Sequence, residues 1–354
     1  MLYPLKFEPI YKEKIWGGIN IGKKFQRNLC KKKRIGESWE IACRENGDSR
    51  VINGFFKNYA LSELIKKYDK KLLGRGYARF PLLVKIIDAS QKLSVQVHPD
   101  DEYARINEDG ESGKTEMWYI IDALPGSKLV LGLKNGVCKE DFRKALEEGC
   151  LHTYLNEIEV QPGDVLYIPA GMLHAIGEGI LLAEVQQNSD TTYRVYDWNR
   201  VGSDGKPREL HVDKALEVID FEGKLNGDKV EGLEIEGTGY TKKYLIANPY
   251  FTVELLNIKE NILEQTGRDK FFIYMVVEGE ADIYYEDGSE HIEAGETVLI
   301  PAYMDEFKVE GNSKILKTYV ANLKKDVINF LLSKGFARRD LCRIGGLEYV
   351  VGEL

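Results

Sequence analysis

Two distant stretches of the chain repeat one pattern. Gly163-Asp-Val-Leu-Tyr-Ile-Pro-Ala-Gly-Met-Leu-His174 lines up with Gly295-Glu-Thr-Val-Leu-Ile-Pro-Ala-Tyr-Met-Asp-Glu306. In both, a glycine turn and an acid lead into an apolar strand that stops at Pro-Ala. A repeat of this kind predicts two related β-barrels, not one continuous sheet. The polar, glycine-dotted stretch from Phe221 to Tyr240 reads as the connection between them. The copies differ where chemistry would sit, because His174 of the first is Glu306 in the second.

The rest of the chain has the same texture. Phe80-Pro-Leu-Leu-Val-Lys-Ile-Ile, Lys92-Leu-Ser-Val-Gln-Val, Met117-Trp-Tyr-Ile-Ile and Phe271-Phe-Ile-Tyr-Met-Val-Val read as short strands bounded by turn residues. Helical patterns are few: Leu61–Tyr68 with Ser62 as the expected cap, Lys139–Gly149, a segment from His211, and Lys325–Gly335. The expected fold is mainly β, two barrels with a small helical insertion near 137–155 and a helical C-terminal tail. The expected segments are 1–220, 221–322 and 323–354. The tail is open to either packing on the barrels or making a dimer contact.

With 49 basic and 57 acidic residues the net charge is −8, the wrong balance for a duplex-binding protein. The basic run Lys31–Arg34 lacks interleaved aromatics and reads as a solvated loop. No apolar stretch is long enough to span a bilayer, and the N-terminal residues lack the layout of a signal peptide. Five scattered cysteines without Cys-x-x-Cys read as reduced thiols, so a cytoplasmic protein is expected, with no membrane or nucleic-acid partner.

The pattern Gly-[Asp/Glu]-x-x-x-Ile-Pro-Ala-Gly-x-x-His resembles the second motif of the cupin superfamily, whose barrel is a double-stranded β-helix or jelly roll. Tyr11-Lys-Glu-Lys-Ile-Trp-Gly-Gly18, Gly36-Glu-Ser-Trp-Glu40, Leu93-Ser-Val-Gln-Val-His-Pro-Asp-Asp101, Gly113-Lys-Thr-Glu-Met-Trp118 and Arg194 after Asn188-Ser-Asp resemble, in order, the blocks of type I mannose-6-phosphate isomerases. The likeness covers residues 1–320 and is nearest to the short bacterial form.

Gln96 and His98 are two apart in a strand pattern and so share a face; Glu116 falls on the next strand and His174 after the Pro-Ala-Gly turn. Two imidazoles, a carboxylate and an amide oxygen, Gln96 being the least secured, suit a borderline divalent ion with an open position. A second reading uses His98-Pro-Asp100 with His174 as the His-x-Asp…His triad of iron(II) oxygenases, but leaves Glu116 without a role. His152, His211 and His291 have no motif context.

Lys114, two residues before Glu116, shares its face if the strand is regular. The resemblance implies that Lys85, Ser94, Lys114, Glu184 and Arg194 occupy polar active-site positions, with Lys85 and Ser94 on the substrate. It further implies one Zn2+ per chain and a sugar-phosphate substrate. The reaction implied is exchange of mannose 6-phosphate with fructose 6-phosphate by proton transfer between C1 and C2. Arg194 is the residue expected to be indispensable; the base is left open among Glu184, Lys114 and a water. A sugar-sensing cupin without turnover, or an isomerase of another sugar, is the alternative. The second barrel, with Glu306 and no Gln-x-His in Gly279-Glu-Ala-Asp-Ile-Tyr-Tyr, is expected to be degenerate. The oligomeric state is left open, a monomer being compatible.

Overall fold

Apolar residues two apart along successive strands build the first core. The computed structural model describes residues 2–29, 34–202, 205–225 and 227–348. Contacts divide the chain into two compact units, one of Tyr11–Ser38 and Lys85–Lys229, the other of Met1–Ile10, Trp39–Val84 and Val230–Leu354. The basic run named above lies, from Lys31 to Lys33, outside the described residues.

The first unit draws on β1 (Ile10–Gly18), β2 (Ile35–Ile41), β3 (Leu82–Ala89), β4 (Val95–Val97), β5 (Glu116–Ala123), β6 (Lys128–Leu133), β7 (Leu155–Glu159), β8 (Val165–Ile168), β9 (His174–Ile176), β10 (Ile180–Gln187) and β11 (Tyr193–Tyr196). Of β2 and β3, residues 35–38 and 85–89 belong to it. One sheet runs β8-β5-β10-β3-β2-β1 and the other β7-β6-β9-β4-β11. Their facing sides meet around Trp118 and Ile120, Leu166 and Ile168, Ile180 and Leu182, Leu129 and Leu131. The strand period of two puts each pair on one face.

The opposite face of the second sheet, Val95, Val97, Val130, Ala175 and Val195, is covered by helices. Of the helices α1 (Asp101–Asn107), α2 (Lys139–Glu147) and α3 (Val212–Val218), α2 supplies Phe142 and Ala145 to this cover and α3 Ala215 and Leu216. The helical insertion thus exists to bury the sheet's outer side.

The second unit contains β12 (Leu233–Gly237), β13 (Tyr240–Ala247), β14 (Thr252–Ile258), β15 (Asn261–Gln265), β16 (Phe272–Tyr285), β17 (Gly288–Glu293), β18 (Thr297–Ile300) and β19 (Glu306–Tyr319). The order is Leu5–Lys6, β18, β16, β19, β14, β13, β12, with β15 also on β19 and β17 on β16. The stretch read as a connection therefore carries an edge strand, β12, in register with β13 from Leu233↔Tyr244 to Gly237↔Tyr240.

Residues 39–84 pack within this second unit. The Phe80 and Phe271 rings are 5.5 Å apart, and Arg75 Nη2 donates to Val320 O at 2.6 Å. Gly74, at φ +86, has no room for a side chain, since a Cβ would lie 2.2 Å from the Asp269 carbonyl carbon. The helix Leu61–Tyr68 forms as expected but Ser62 is not its cap. Ala60 is the cap residue, Glu63 Oε2 accepts its N–H at 2.8 Å, and the Ser62 hydroxyl donates to Asp48.

The tail packs on its own barrel. Val327, Ile328, Leu331, Leu341, Ile344 and Leu347 are buried in the cluster that holds Phe272, Tyr274 and Ile300. Its last turn is tied down by Ala247 N donating to Gly345 O at 3.0 Å.

Register aligns the two barrels residue by residue. Ile168 pairs with Glu116 and Ile300 with Phe272, so Phe272 stands where the first barrel has Glu116. Glu184 pairs with Trp118 and Lys317 with Tyr274, so Lys317 stands where the first has Glu184. Lys317, 4% exposed, bonds to Glu264 and lies 3.3 Å from Glu254, while its Nζ sits 4.1 Å from the Phe272 ring centroid. Lys242 adds a second cation, 2.6 Å from Glu264 and 3.5 Å from Glu254. Breaking a buried pair leaves an uncompensated charge, so Lys317→Ala is expected to cost about 3–5 kcal/mol. Denaturant unfolding measures this; a loss under about 1 kcal/mol would place the pair in the class of weakly contributing ion pairs.

Candidate active site

The two sheets of the first unit each deliver part of one buried cluster. Gln96 on β4 and His174 on β9 are register partners, and His98 follows directly after β4. Glu116 opens β5, paired to Ile168 on one side and Gln186 on the other. The turn Pro169-Ala-Gly171 aims His174 inward: Gly171 sits at φ +87 and donates its N–H to His98 O at 2.9 Å. A side chain there would be strained, and its Cβ would come within 3.0 Å of Val218 O. His98, Glu116 and His174 are all buried, with ligand atoms within 4.8 Å of one another.

The histidines are oriented from behind. His98 Nδ1 bonds Thr191 O at 2.9 Å and His174 Nδ1 bonds Met172 O at 2.8 Å. A carbonyl only accepts, so each Nδ1 carries the proton and each Nε2 turns its lone pair to the cluster. Burial and then Lys114 push the His98 pKa down to about 3, and burial also lowers that of His174. Burial works against the charge on Glu116, yet Lys114 holds its pKa well below the ordinary range.

Neither Glu116 oxygen has a hydrogen-bond partner among the described residues. Lys114 Nζ forms an ion pair with Oε1 at 2.6 Å, and it also meets His98 Nε2 at 3.1 Å. Two neutral imidazoles with free Nε2 lone pairs and a carboxylate with unused acceptors fit a divalent cation. One lone pair cannot serve two partners, so ligation through His98 Nε2 requires Lys114 to release it.

Gln96 differs from expectation in orientation. Its Nε2 faces His174 Nε2 at 3.3 Å and its Oε1 faces the Ser94 hydroxyl at 3.4 Å. An amide nitrogen has no lone pair to give, so a ligand role needs the amide turned over. Asp100 does not join the cluster: it caps α1, accepting Tyr103 N at 2.8 Å. The His-x-Asp…His reading therefore lacks its carboxylate.

Beside the cluster lies a second polar group. Glu184, 3% exposed, takes Trp118 Nε1 on Oε1 at 3.1 Å and faces Lys85 Nζ across 3.0 Å at Oε2. Burial and the charge of Glu116 raise its pKa. Lys85 also donates to Gln186 Oε1 at 2.6 Å; burial disfavours its charge, but Glu184 leaves its pKa raised. Arg194 on β11 donates through Nε to Ser94 Oγ at 3.2 Å and through Nη1 to Glu209 O at 2.9 Å. Ser94 thus links Arg194 to Gln96.

Trp118 and Gln186, which orient Glu184 and Lys85, were not anticipated. Their register opposite Glu184 and Glu116 is the signal that places them. Of the remaining histidines, His291 is on the surface with Asp282, while His211 Nδ1 accepts Arg194 N at 3.3 Å.

Comparison with known proteins bears on this arrangement. The description "Phosphomannose isomerase type I, catalytic domain" matches residues 4–119, and "Mannose-6-phosphate isomerase, cupin domain" matches 240–320. Mannose-6-phosphate isomerase ManA of Bacillus subtilis is 41% identical over 319 residues, 90% of this chain and 99% of the relative. The mannose-6-phosphate isomerase of Streptococcus mutans is 35% identical over 321 residues, covering 90% and 99%. The crystal structure of mannose 6-phosphate isomerase from Bacillus subtilis superposes with a TM-score of 0.83 at 35% identity, covering 90% of this chain and 99% of that one.

Alanine at His98, Glu116 or His174 is expected to weaken divalent-metal binding by more than about 100-fold, while alanine at Gln96 costs about tenfold or less. Competition against a chromophoric chelator separates these cases. Equal losses at all four positions would make Gln96 a full ligand.

Proposed function

The chain belongs to the type I phosphomannose isomerase family, a metal-dependent aldose–ketose isomerase interconverting mannose 6-phosphate and fructose 6-phosphate, and we propose how its buried cluster does this. The carrying observation is the set His98, Glu116 and His174, with ligand atoms turned to one point. Zinc is the ion proposed, one per chain, because two imidazoles and a carboxylate suit it and leave coordination positions open. When bound, a divalent ion supplies Lewis-acid polarisation of the sugar's C1 and C2 oxygens.

The reaction moves a proton from C2 to C1 and another from the C2 oxygen to the C1 oxygen. Glu184 is proposed as the carbon base. Burial raises its pKa toward the range where a general base is effective, and Trp118 Nε1 fixes one of its oxygens. Lys85 holds the other and lines, with Ser94, the wall that receives the sugar phosphate. Arg194 and Lys114 supply positive charge to the enediolate oxygens as they become negative. Catalysis is placed in the first barrel; in the second, Phe272 offers no ligand atom where Glu116 stands.

No described helix is long and apolar enough to cross a membrane. The reduced thiols Cys43, Cys138, Cys150 and Cys342 suit the cytoplasm, where we place the enzyme.

Chelator-stripped protein should lose turnover of mannose 6-phosphate and regain it with zinc, and Arg194→Ala should lower kcat about 100-fold or more. Folded, metal-loaded protein without turnover would return the case to a sugar-binding cupin. The pH profile tests the base. Glu184 works only when ionised, so kcat should fall as pH drops through its raised pKa, above the ordinary value of about 4.3. Lys85 favours the ionised form, so Lys85→Met should move the acid limb to higher pH. An unmoved limb would assign it to another group.

A further inference from the structure

We infer that Asp197 is a positioning residue for Arg194, setting both points at which that guanidinium is held; this rests on the reading of Arg194 as an active-site group. Asp197 directly follows β11 and is 5% exposed. Its carboxylate takes two guanidiniums. Arg208 grips it bidentately, Nε to Oδ2 at 2.7 Å and Nη2 to Oδ1 at 2.5 Å, and Arg200 Nη2 reaches Oδ1 at 2.5 Å. Burial opposes the charge on Asp197, but the hydrogen bonds from Arg208 and Arg200 keep its pKa below the ordinary carboxylate value.

Two arms run from this carboxylate and both end on Arg194. Along the first, Arg200 Nη1 donates to Lys92 O at 2.5 Å and Trp198 Nε1 to Leu93 O at 2.6 Å. These bonds fix the backbone immediately before Ser94, whose hydroxyl accepts Arg194 Nε at 3.2 Å. Along the second, Arg208 precedes Glu209, whose carbonyl accepts Arg194 Nη1 at 2.9 Å. His211 N donates to Arg194 O at 2.7 Å and completes that arm.

The turn between the arms is strained. Trp198 and Asn199 sit in succession at φ +56 and +54, in the left-handed region that a bulky side chain rarely adopts. Such a backbone persists only where its surroundings hold it. Here Asp197 does the holding, its carbonyl also accepting Arg200 N at 3.0 Å and Arg200 Nε at 3.2 Å. Without the carboxylate, Arg200 and Arg208 repel each other, and the carbonyl and hydroxyl that anchor Arg194 are no longer tied to a common point.

The test uses the zinc-loaded full chain and mannose 6-phosphate, with Asp197→Asn, Asp197→Ala and Arg208→Gln made alone and combined with Arg194→Ala. Kinetics are normalised to folded protein and metal content, and melting temperatures are recorded. Asp197→Asn, close in shape, should lower kcat roughly tenfold or more with KM and bound metal little changed. With Arg194→Ala already present, the same substitution should change kcat by less than about twofold. Asp197→Glu should recover part of the loss. Multiplicative losses in the double variant would overturn the proposal, as would an Asp197→Asn that lowers only the melting temperature. Arg208→Gln, on the more exposed partner, carries the same comparison if the Asp197 variants do not fold. Full activity in Arg194→Ala alone would remove the reading of Arg194 and the positioning role with it, an outcome visible in that single variant.

Discussion

An ionised carboxylate at 1% exposure, that of Glu116, has to be neutralised by its neighbours, because moving a charge out of water costs several kcal/mol. The rest of the first barrel's interior is arranged around that requirement. Lys114 stands against one oxygen, and the two imidazoles turn lone pairs to the same point, so that the cluster as a whole calls for a cation. The same charge acts outward on Glu184, whose pKa it helps to raise. One group thus favours a cation beside it and raises the pKa of a nearby carboxylate. Two carboxylates in one interior have their pKa values pushed in opposite directions because their neighbours differ.

The second barrel meets the same constraint without a metal-ligand set at the aligned positions. Phe272 replaces Glu116 and Lys317 replaces Glu184, each identified by strand register. The interior charge is then balanced within the chain, by Lys317 and Lys242 against Glu254 and Glu264. The buried pair survives with its polarity exchanged between strands: Glu184 with Lys85 in one barrel, Lys317 with Glu254 in the other. A cupin interior therefore tolerates paired charge at this depth whichever strand carries which sign.

Much of this was legible in the residues. The Gly-acid-strand-Pro-Ala repeat announces two barrels because its turn and its apolar alternation are local properties. His98, Glu116 and His174 stand out because histidine is scarce and strand period assigns faces. The edge strand β12 was not legible, since Leu233-Glu-Ile-Glu-Gly sits among glycines and has only one neighbour to pair with. Ser62 as a cap failed because Asp48, distant in sequence, takes its hydroxyl. The Asp197 junction was hidden for a like reason: Arg208 stands 11 residues further along the chain, and no local spacing rule pairs it with that carboxylate. Gln96's amide orientation is decided by Ser94 and His174 together, which no spacing reports.

Residues 39–84 belong to the unit completed by 230–348, so the chain enters and leaves each unit more than once. During synthesis this segment emerges early, with Leu72, Leu73 and Phe80 in need of cover, while the strands it packs against do not yet exist. At roughly 5–20 residues per second the wait is about 10–50 s. The ribosome therefore releases a barrel that can close around its metal site before the other has received its last strands. A stalled or truncated transcript would strand apolar surface, that of Leu72, Leu73 and Phe80, which the finished molecule never displays.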